Sequence, residues 1–187
     1  VLLDRHVFCG RTDGIFVDVG AHDGVNCSNT AFFERNRNWT GLCIEPNPDV
    51  FAALTAARTS TCLQLAIGVG SGSRPFRVVT GASMLSGLAD KYDRRHAARV
   101  DRESARTGGS SRIENVEVKR LDVVLLDCGI DSVDLLSIDV EGAETDVIDS
   151  IRLADFSVRA VIIENNFRSW TIARKMIAQG YQLIARL

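Results

Sequence analysis

The stretch IFVDVGAHDG, residues 15–24, decides the fold of this chain. Its first half is a short apolar run typical of a buried parallel strand, and it contains Asp18, whose charge is costly to bury unless it is paired. Gly20 and Gly24 follow, and residues without a Cβ let the backbone turn sharply and a ligand approach closely. Three residue types that favour helix N-caps come next: Asn26, Ser28 and Asn29. The stretch therefore predicts a strand, a ligand-binding turn and a helix whose free N–H groups face the ligand.

The spacing of the glycines indicates which ligand is bound. A dinucleotide fingerprint is G-x-G-x-x-G, whereas this chain has an acid-x-Gly-x-x-x-Gly pattern from Asp18 to Gly24, with His22 where another glycine would stand. Asp18 and Asp23 would repel a pyrophosphate and attract a sulfonium or an ammonium group. The pattern is typical of S-adenosylmethionine enzymes, whose cofactor carries an ammonium and no phosphate. We therefore expect S-adenosylmethionine as the cofactor.

The composition is that of one ordinary globular domain. The chain has 187 residues, 45% of them hydrophobic, and a formal charge of −2. We expect a single catalytic domain over residues 1–187, with residues 1–13 as a lead-in. The charge does not favour a nucleic-acid partner, and it suits a small-molecule substrate. Since no run approaches the ~20 apolar residues that cross a bilayer and no signal-peptide pattern is present, we expect no membrane partner and a cytoplasmic location. The oligomeric state is not predicted.

Strands alternate with helices along the chain. Helices are predicted over 49–55, 144–153 and 170–179, in addition to the one that carries Phe32 and Phe33. Strands are predicted over 15–19, 39–44, 61–67, 76–79, 133–138, 160–163 and 181–185. This alternation predicts an α/β fold with a doubly wound, Rossmann-like and mostly parallel sheet.

Acidic residues mark the ends of the predicted core strands. They are Asp18, Glu45, Asp139 and Glu164. One such acid is readily explained as the cap of the next helix, but four at the edge where parallel sheets bind ligands indicate a site. Glu45 follows Gly20 by 25 residues, close to the spacing at which an acid binds ribose hydroxyls. Ala66 and Ile67, at the end of the third predicted strand, are placed to flank an adenine ring.

Three segments together resemble a known family: IFVDVGAHDGVNCSNTAFFERNRNWTGLCIEPNPDVF, LLSIDVEGAETDVIDSI and VIIENNF. They are similar to the FkbM family of S-adenosylmethionine-dependent methyltransferases, from about residue 14 onward with an interruption at 81–115. The resemblance implies a class I methyltransferase fold and methylation of a hydroxyl on a sugar or natural-product scaffold. It also implies a set of residues lining the cofactor: Asp18, Gly20, His22, Gly24 and Glu45. Asp139 and Glu141 would lie at the active-site edge.

The chain departs from the family pattern in two places. His22 stands where asparagine is common, which adds a side chain that titrates near neutrality. Class I methyltransferase sheets end in an antiparallel hairpin, whereas only one candidate strand, 181–185, remains here. We therefore expect the C-terminal hairpin to be incomplete.

The reaction needs a base for the acceptor hydroxyl. Asp139 is the first choice and Glu141 the second, because both follow the fourth core strand. His96 is interpreted as a surface histidine on a charged helix, with a place in a lid over the site as the alternative. A magnesium ion is a further alternative, since Asp139, Glu164 and Asn165 resemble the oxygen ligands of catechol-type methyltransferases.

The interrupting segment, 81–115, is expected to form a substrate-binding or lid insertion. Its arginines suit an acidic substrate group or, alternatively, a solvated helix: Arg94, Arg95, Arg99, Arg102 and Arg106. Residues 108–111 are predicted to be a mobile loop. Two other functions stay open at this point, namely a nicotinamide-dependent oxidoreductase and a catalytically silent cofactor-binding module.

Overall fold

The structure is a computed structural model that describes residues 2–92, 94–166 and 169–186. The described residues form nine β-strands, β1 to β9: Ile15–Val19, Thr40–Ile44, Thr61–Leu63, Ala66–Ile67, Gly72–Val79, Gly87–Leu88, Ser111–Lys119, Leu135–Ile138 and Ala160–Ile163. The same residues form seven α-helices, α1 to α7: Leu2–His6, Ala31–Arg37, Pro48–Ala57, Arg94–Thr107, Leu121–Asp127, Glu144–Asp149 and Trp170–Ala178.

Five parallel strands form the central sheet, in the order β3-β2-β1-β8-β9. One face buries Phe16 and Leu135 against side chains of α2 and α3. The other face buries Val17 and Ile138 against α5, α6 and α7. Helices therefore cover both faces, which confirms the α/β prediction and agrees with a Rossmann-like sheet. Chain order reverses between β1 and β8, and open sheets bind ligands beside such a reversal.

A second sheet of four strands has the order β4-β7-β5-β6 and is mostly antiparallel. Its presence shows that the single strand predicted over 61–67 was wrong. Leu63 pairs with Ile44 in the central sheet, whereas Ala66 pairs with Val118 in the second sheet. The chain passes from the central sheet to the second sheet at residues 64–65. The apolar run that was predicted to be one strand therefore forms two short strands in different sheets.

The C-terminal part also differs from the prediction. The helix expected over 144–153 ends at Asp149, and a short 3-10 turn, Leu153–Phe156, follows it. Residues 181–186 have no regular secondary structure, so the strand predicted over 181–185 is not formed. Tyr181 instead donates a hydrogen bond to the carbonyl of Val158, which directs this segment away from β9 pairing.

The segment 81–115 is folded against the second sheet. A 3-10 turn, Ser83–Leu85, and helix α4 bury Leu85 and Val100 together with Val79. The mobile loop predicted over 108–111 is short and hydrogen-bonded, because Thr80 and Ser110 pair through their backbones at 2.8 Å and Ser111 begins β7. In the part of the chain that the structure describes, no helix is both long and apolar enough to cross a bilayer.

The turn after β1 depends on the missing side chain of Gly20. Gly20 has a φ of +84°, and a Cβ built there would lie 1.7 Å from the backbone oxygen of Asp139. We expect Gly20→Ala to lower the free energy of unfolding by at least about 3 kcal/mol, because backbone strain and overlap with a main-chain atom add together. Urea denaturation measures the difference.

Gly70→Ala is the matched control. A Cβ at Gly70 has no neighbour within 4 Å, so this variant should stay within about 0.5 kcal/mol of the wild type. Equal stability of the two variants would contradict the close packing of the β1 turn against β8.

Candidate functional site

A cavity lies at the carboxyl ends of β1, β2 and β8, and it encloses about 1100 Å³ of space free of protein atoms, including the part open to solvent. Nine residues singled out from the sequence line it: Asp18, Gly20, His22, Glu45, Ala66, Ile67, Asp139, Glu141 and Glu164. Parallel strands bring their carboxyl ends to one edge, which explains why residues far apart in sequence meet here. The second sheet contributes Phe76 and Leu88 to the opposite wall.

Two predicted site residues lie elsewhere. Gly24 is not part of the cavity lining, and its missing Cβ makes room for Leu54 and Arg58, each of which would lie 2.7 Å from a Cβ there. Asn165 is exposed, and its amide accepts a hydrogen bond from the Ser169 N–H at 2.7 Å and donates one to the Ser169 carbonyl at 3.2 Å. Gly24 is therefore a packing residue and Asn165 stabilises the loop before α7.

Glu45, directly after β2, is buried and held by the backbone. Its Oε2 accepts a hydrogen bond from the His22 N–H at 2.9 Å, and its Oε1 accepts one from the Asn47 N–H at 2.7 Å. Burial raises the pKa of Glu45 to about 7, although the two hydrogen bonds oppose the shift. Each carboxylate oxygen has a second lone pair, so a fixed Glu45 can still accept hydrogen bonds from a ligand in the cavity.

Asp18 borders the cavity, but its carboxylate is engaged by the protein. Asp18 Oδ2 accepts a hydrogen bond from Thr30 Oγ1 at 2.6 Å and lies 3.9 Å from the Arg58 guanidinium. Arg58 donates to Thr30 Oγ1 at 3.0 Å, to the Gly24 carbonyl at 3.3 Å, and to Glu34. Burial raises the pKa of Asp18, and Thr30 and Arg58 oppose that rise. Asp18 therefore positions the loop before α2.

Arg58, Glu34 and Thr30 were not predicted as site-forming residues. The sequence did indicate that Asp18 needs a partner inside the strand, but nothing in its pattern selects Arg58 among the arginines of the chain.

A group of carboxyls occupies the cavity end beside β8 and β9. Asp139, Glu141 and Glu164 each offer an oxygen, and the three oxygens lie within 4.8 Å of one another. Burial, followed by the hydrogen bond and charge of Glu164, raises the pKa of Asp139 to about 8. Burial and the charge of Glu164 likewise raise the pKa of Glu141 to about 7. These shifts bring both pKa values close to neutral pH, which is where the pKa of a general acid or base is most useful.

Helix α4 contacts this acidic end. Arg99 Nη1 lies 3.2 Å from Glu141 Oε2, and His96 Nδ1 lies 3.8 Å from the same oxygen. His96 is 1% exposed and stacks on Tyr92 with ring centroids 4.2 Å apart, so the interpretation as a surface histidine was wrong. Glu141 has a φ of +51°, an uncommon backbone conformation that the contacts with α4 help to hold.

The oxygen donors suit a magnesium ion in type. The set differs from the predicted one, because Glu141 takes the place of Asn165 beside Asp139 and Glu164. Carboxylate oxygens are the ligands that Mg²⁺ prefers. The same three groups also suit a shared proton, since a protonated carboxyl no longer repels the charge of its neighbours. The geometry therefore accommodates either a proton or a cation.

The turn Ser83–Leu85 lies over the Glu45 end of the cavity. His22 Nε2 and Ser83 Oγ are 2.8 Å apart, and Asn47 Nδ2 donates to Ser86 Oγ at 3.1 Å. Met84 lines the cavity between these two contacts, yet it is 54% exposed. Two residues that hold Glu45 through their backbones thus bind the turn through their side chains. The segment 81–115, which was expected to bind the substrate or form a lid, thus contributes Ser83, Met84 and Ser86 to the cavity lining.

The cavity's charge favours a cationic ligand over a phosphate-bearing one. Five acids line it, and Arg99 is the one arginine or lysine among its described lining residues. Arg99 is already paired with Glu141. A pyrophosphate would meet this acidic lining without a matching cation, whereas an ammonium or sulfonium would be attracted.

Comparison with known proteins identifies the family of this chain. The family profile described as "Methyltransferase FkbM domain" matches residues 18–183. The chain is also 26% identical over 141 residues to the 2-O-methyltransferase NoeI of Sinorhizobium fredii (strain NBRC 101917 / NGR234). The aligned region covers 74% of this chain and 57% of that protein. The chain thus spans less than two thirds of that relative's length.

No solved structure matches the chain significantly. Family membership favours methyl transfer over the nicotinamide-dependent alternative, in agreement with the missing dinucleotide fingerprint. Because the profile covers most of the chain and the matched region contains the whole acidic cavity, this protein belongs to the FkbM family of methyltransferases.

Proposed function

We propose that this protein is an S-adenosylmethionine-dependent O-methyltransferase that acts on a hydroxyl group of a small molecule, with a sugar or a natural-product scaffold as the substrate class. The observation that carries the proposal is one cavity with the backbone-held Glu45 at one end and the Asp139, Glu141 and Glu164 carboxyls at the other. The first end suits a ribose and the second suits a hydroxyl that loses its proton.

The cofactor side is assigned from the residues present. Glu45 would accept hydrogen bonds from the ribose hydroxyls, while buried Ala66 and Ile67 would contact the adenine ring. Gly20 would border the bound cofactor, and His22 would hold Glu45 in place. When bound, S-adenosylmethionine supplies an activated methyl group.

The acceptor side is assigned to the carboxyl group beside β8. We assign Asp139 as the base, because its carboxyl lies at the end of the strand next to β1 and its pKa of about 8 keeps it able to exchange a proton near neutrality. Glu164 and Glu141 lie beside Asp139, where their charges raise its pKa, and Glu141 is itself held by Arg99. Alignment of the hydroxyl is expected to supply most of the rate enhancement.

The cofactor assignment predicts that Glu45→Ala weakens S-adenosylmethionine binding by about 10- to 100-fold, because hydrogen bonds between a carboxylate and two hydroxyls are lost. Isothermal titration calorimetry on the wild type and the variant measures this change. Glu45→Gln, which keeps the size of the side chain, should fall between the two.

Glu117→Ala is the control, since Glu117 is an exposed acid on β7 that does not line the cavity. It should bind the cofactor as the wild type does. Absence of binding to the wild type, or unchanged binding by Glu45→Ala in a variant with native thermal unfolding, would refute the cofactor assignment.

The base assignment predicts a pH dependence. A base must be deprotonated, so kcat/KM of the wild type should rise about tenfold per pH unit below about pH 8 and level off above it. Asp139→Asn should lower kcat by about 10²- to 10⁴-fold without changing cofactor affinity. Glu164→Gln removes a charge that raises the pKa of Asp139, so it should keep turnover and move the rise to lower pH. Transfer of a labelled methyl group to an accepted hydroxyl substrate gives these rates.

The magnesium alternative makes opposite predictions. A metal held by Asp139, Glu141 and Glu164 would make Glu164→Gln nearly inactive at every pH, and exhaustive chelation would abolish turnover until Mg²⁺ is restored. Undiminished turnover after chelation, together with the shifted profile of Glu164→Gln, supports the base assignment. Loss of turnover after chelation, together with an inactive Glu164→Gln variant, would refute the base assignment and support the metal site.

A further inference from the structure

Helix α4 carries its arginines as an ordered row. Arg95, Arg99, Arg102 and Arg106 follow one another at steps of four, three and four residues, which places them on one side of a helix. At a rise of 1.5 Å per residue the row is about 16 Å long. We refer to these four residues as the arginine stripe. His96 and Val100, roughly a third of a turn around α4 from the stripe, are buried against the protein, so the stripe lies along the flank of an anchored helix.

The arginine stripe meets the cavity at Arg99 and continues from there into solvent. Arg99 lines the cavity and is paired with Glu141 at 3.2 Å, and its side chain is 31% exposed. Arg102 and Arg106, one and two turns further along, each have a side chain that is 73% exposed. Glu103 lies beside both, at 3.9 Å from Arg102 and 2.9 Å from Arg106. Exposed pairs of this kind are weak and exchange readily with another anion.

The net charge of the whole chain does not show that α4 is strongly basic. The formal net charge is −2, whereas α4 holds five arginines and two acids, Asp101 and Glu103. An acidic cavity therefore opens beside a basic helix. The carboxyls in the cavity can accept hydrogen bonds from donors such as hydroxyls. The guanidinium groups along α4 can bind anions that are spaced along a line.

We propose that the acceptor is an acidic oligosaccharide, one of whose hydroxyls enters the cavity while the carboxylates of its uronate units lie along the arginine stripe. The proposal rests on the proposed function, because it names the substrate class of the same site. An oligosaccharide with uronate units presents both required groups on one extended molecule. A single phosphate is compact and would engage only one part of a row about 16 Å long. Single-stranded nucleic acid is disfavoured because α4 has no Phe, Tyr or Trp on which bases could stack.

Calorimetry with defined probes tests the proposal on the full chain in the presence of S-adenosylmethionine. Tetragalacturonate should bind the wild type, and its affinity should fall as salt rises. The neutral maltotetraose, inorganic pyrophosphate and an oligothymidylate should each bind more weakly than tetragalacturonate. Equal or tighter binding of any of these three would overturn the proposal and assign the surface to neutral sugars, phosphate carriers or nucleic acid respectively.

Variants of α4 separate charge recognition from damage to the fold. The double variant Arg102→Gln, Arg106→Gln should weaken tetragalacturonate binding about 5-fold, as expected for two exposed ion pairs. Glu103→Gln should strengthen binding, because it removes the acid that competes for both arginines. The matched control is the double variant Arg35→Gln, Arg152→Gln, which removes two exposed arginines outside α4 and should leave the affinity unchanged. Unchanged binding in both α4 variants, or equal losses in the control, would overturn the proposal.

Cofactor binding by the same variants distinguishes the two proposals. The Arg102→Gln, Arg106→Gln protein should bind S-adenosylmethionine as the wild type does, since neither residue lines the cavity. If the wild type binds tetragalacturonate but no S-adenosylmethionine, the proposed function fails. If it binds the cofactor but not tetragalacturonate, only the acceptor class fails.

Discussion

The charge of Asp18 inside a fully buried strand is the constraint on which the site depends. Asp18 lies between Cys43 and Ser137 of the neighbouring strands, and water cannot solvate it there. Thr30 and Arg58 compensate by hydrogen bond and charge, and Arg58 is itself buried. Loss of one partner from such a buried pair typically costs about 3–5 kcal/mol, because the other charge is left uncompensated. Satisfying Asp18 therefore fixes the start of α2 and the end of α3 relative to β1.

This arrangement explains the shape of the cavity beside it. Arg58 holds the loop between β1 and α2 on the side away from the cavity, where it donates a hydrogen bond to the Gly24 carbonyl. The other side of this loop faces the cavity, where the His22 N–H donates a hydrogen bond to Glu45. The acids of the cavity thus differ in their surroundings. Asp18 is hydrogen-bonded and ion-paired within the protein, Glu45 is held by two backbone N–H groups, and Asp139, Glu141 and Glu164 lie close to one another.

Much of the fold and the cavity lining could be predicted because they follow from short-range patterns. Apolar runs that end in an acid or glycine locate β1, β2, β8 and β9, and parallel strands then bring Asp18, Glu45, Asp139 and Glu164 to one edge. Features that depend on long-range packing could not be predicted in this way. Residues 61–67 form one apolar run, and only pairing with β2 and β7 divides them.

Single residues show the same limit. Gly24 matches the glycine pattern, but the bulk of Arg58 and Leu54 decides its role as a packing residue. Asn165 has the right chemistry and the right strand end, yet hydrogen bonds with Ser169 engage its amide. His96 lies among charged residues, so its sequence surroundings suggest an exposed side chain. Its burial depends on a tertiary contact, the stacking of its ring on Tyr92.

The backbone of His22 has a φ of +49°, a conformation that glycine adopts easily and that histidine adopts more readily than most side chains do. Its N–H binds Glu45 while its imidazole reaches Ser83 at 2.8 Å. One residue therefore joins Glu45 to the turn Ser83–Leu85, because its backbone holds the first and its side chain contacts the second. An asparagine at this position would also tolerate the positive φ, but its shorter side chain would not reach Ser83 from the same backbone position. The turn would then lose its contact with the residue that holds Glu45.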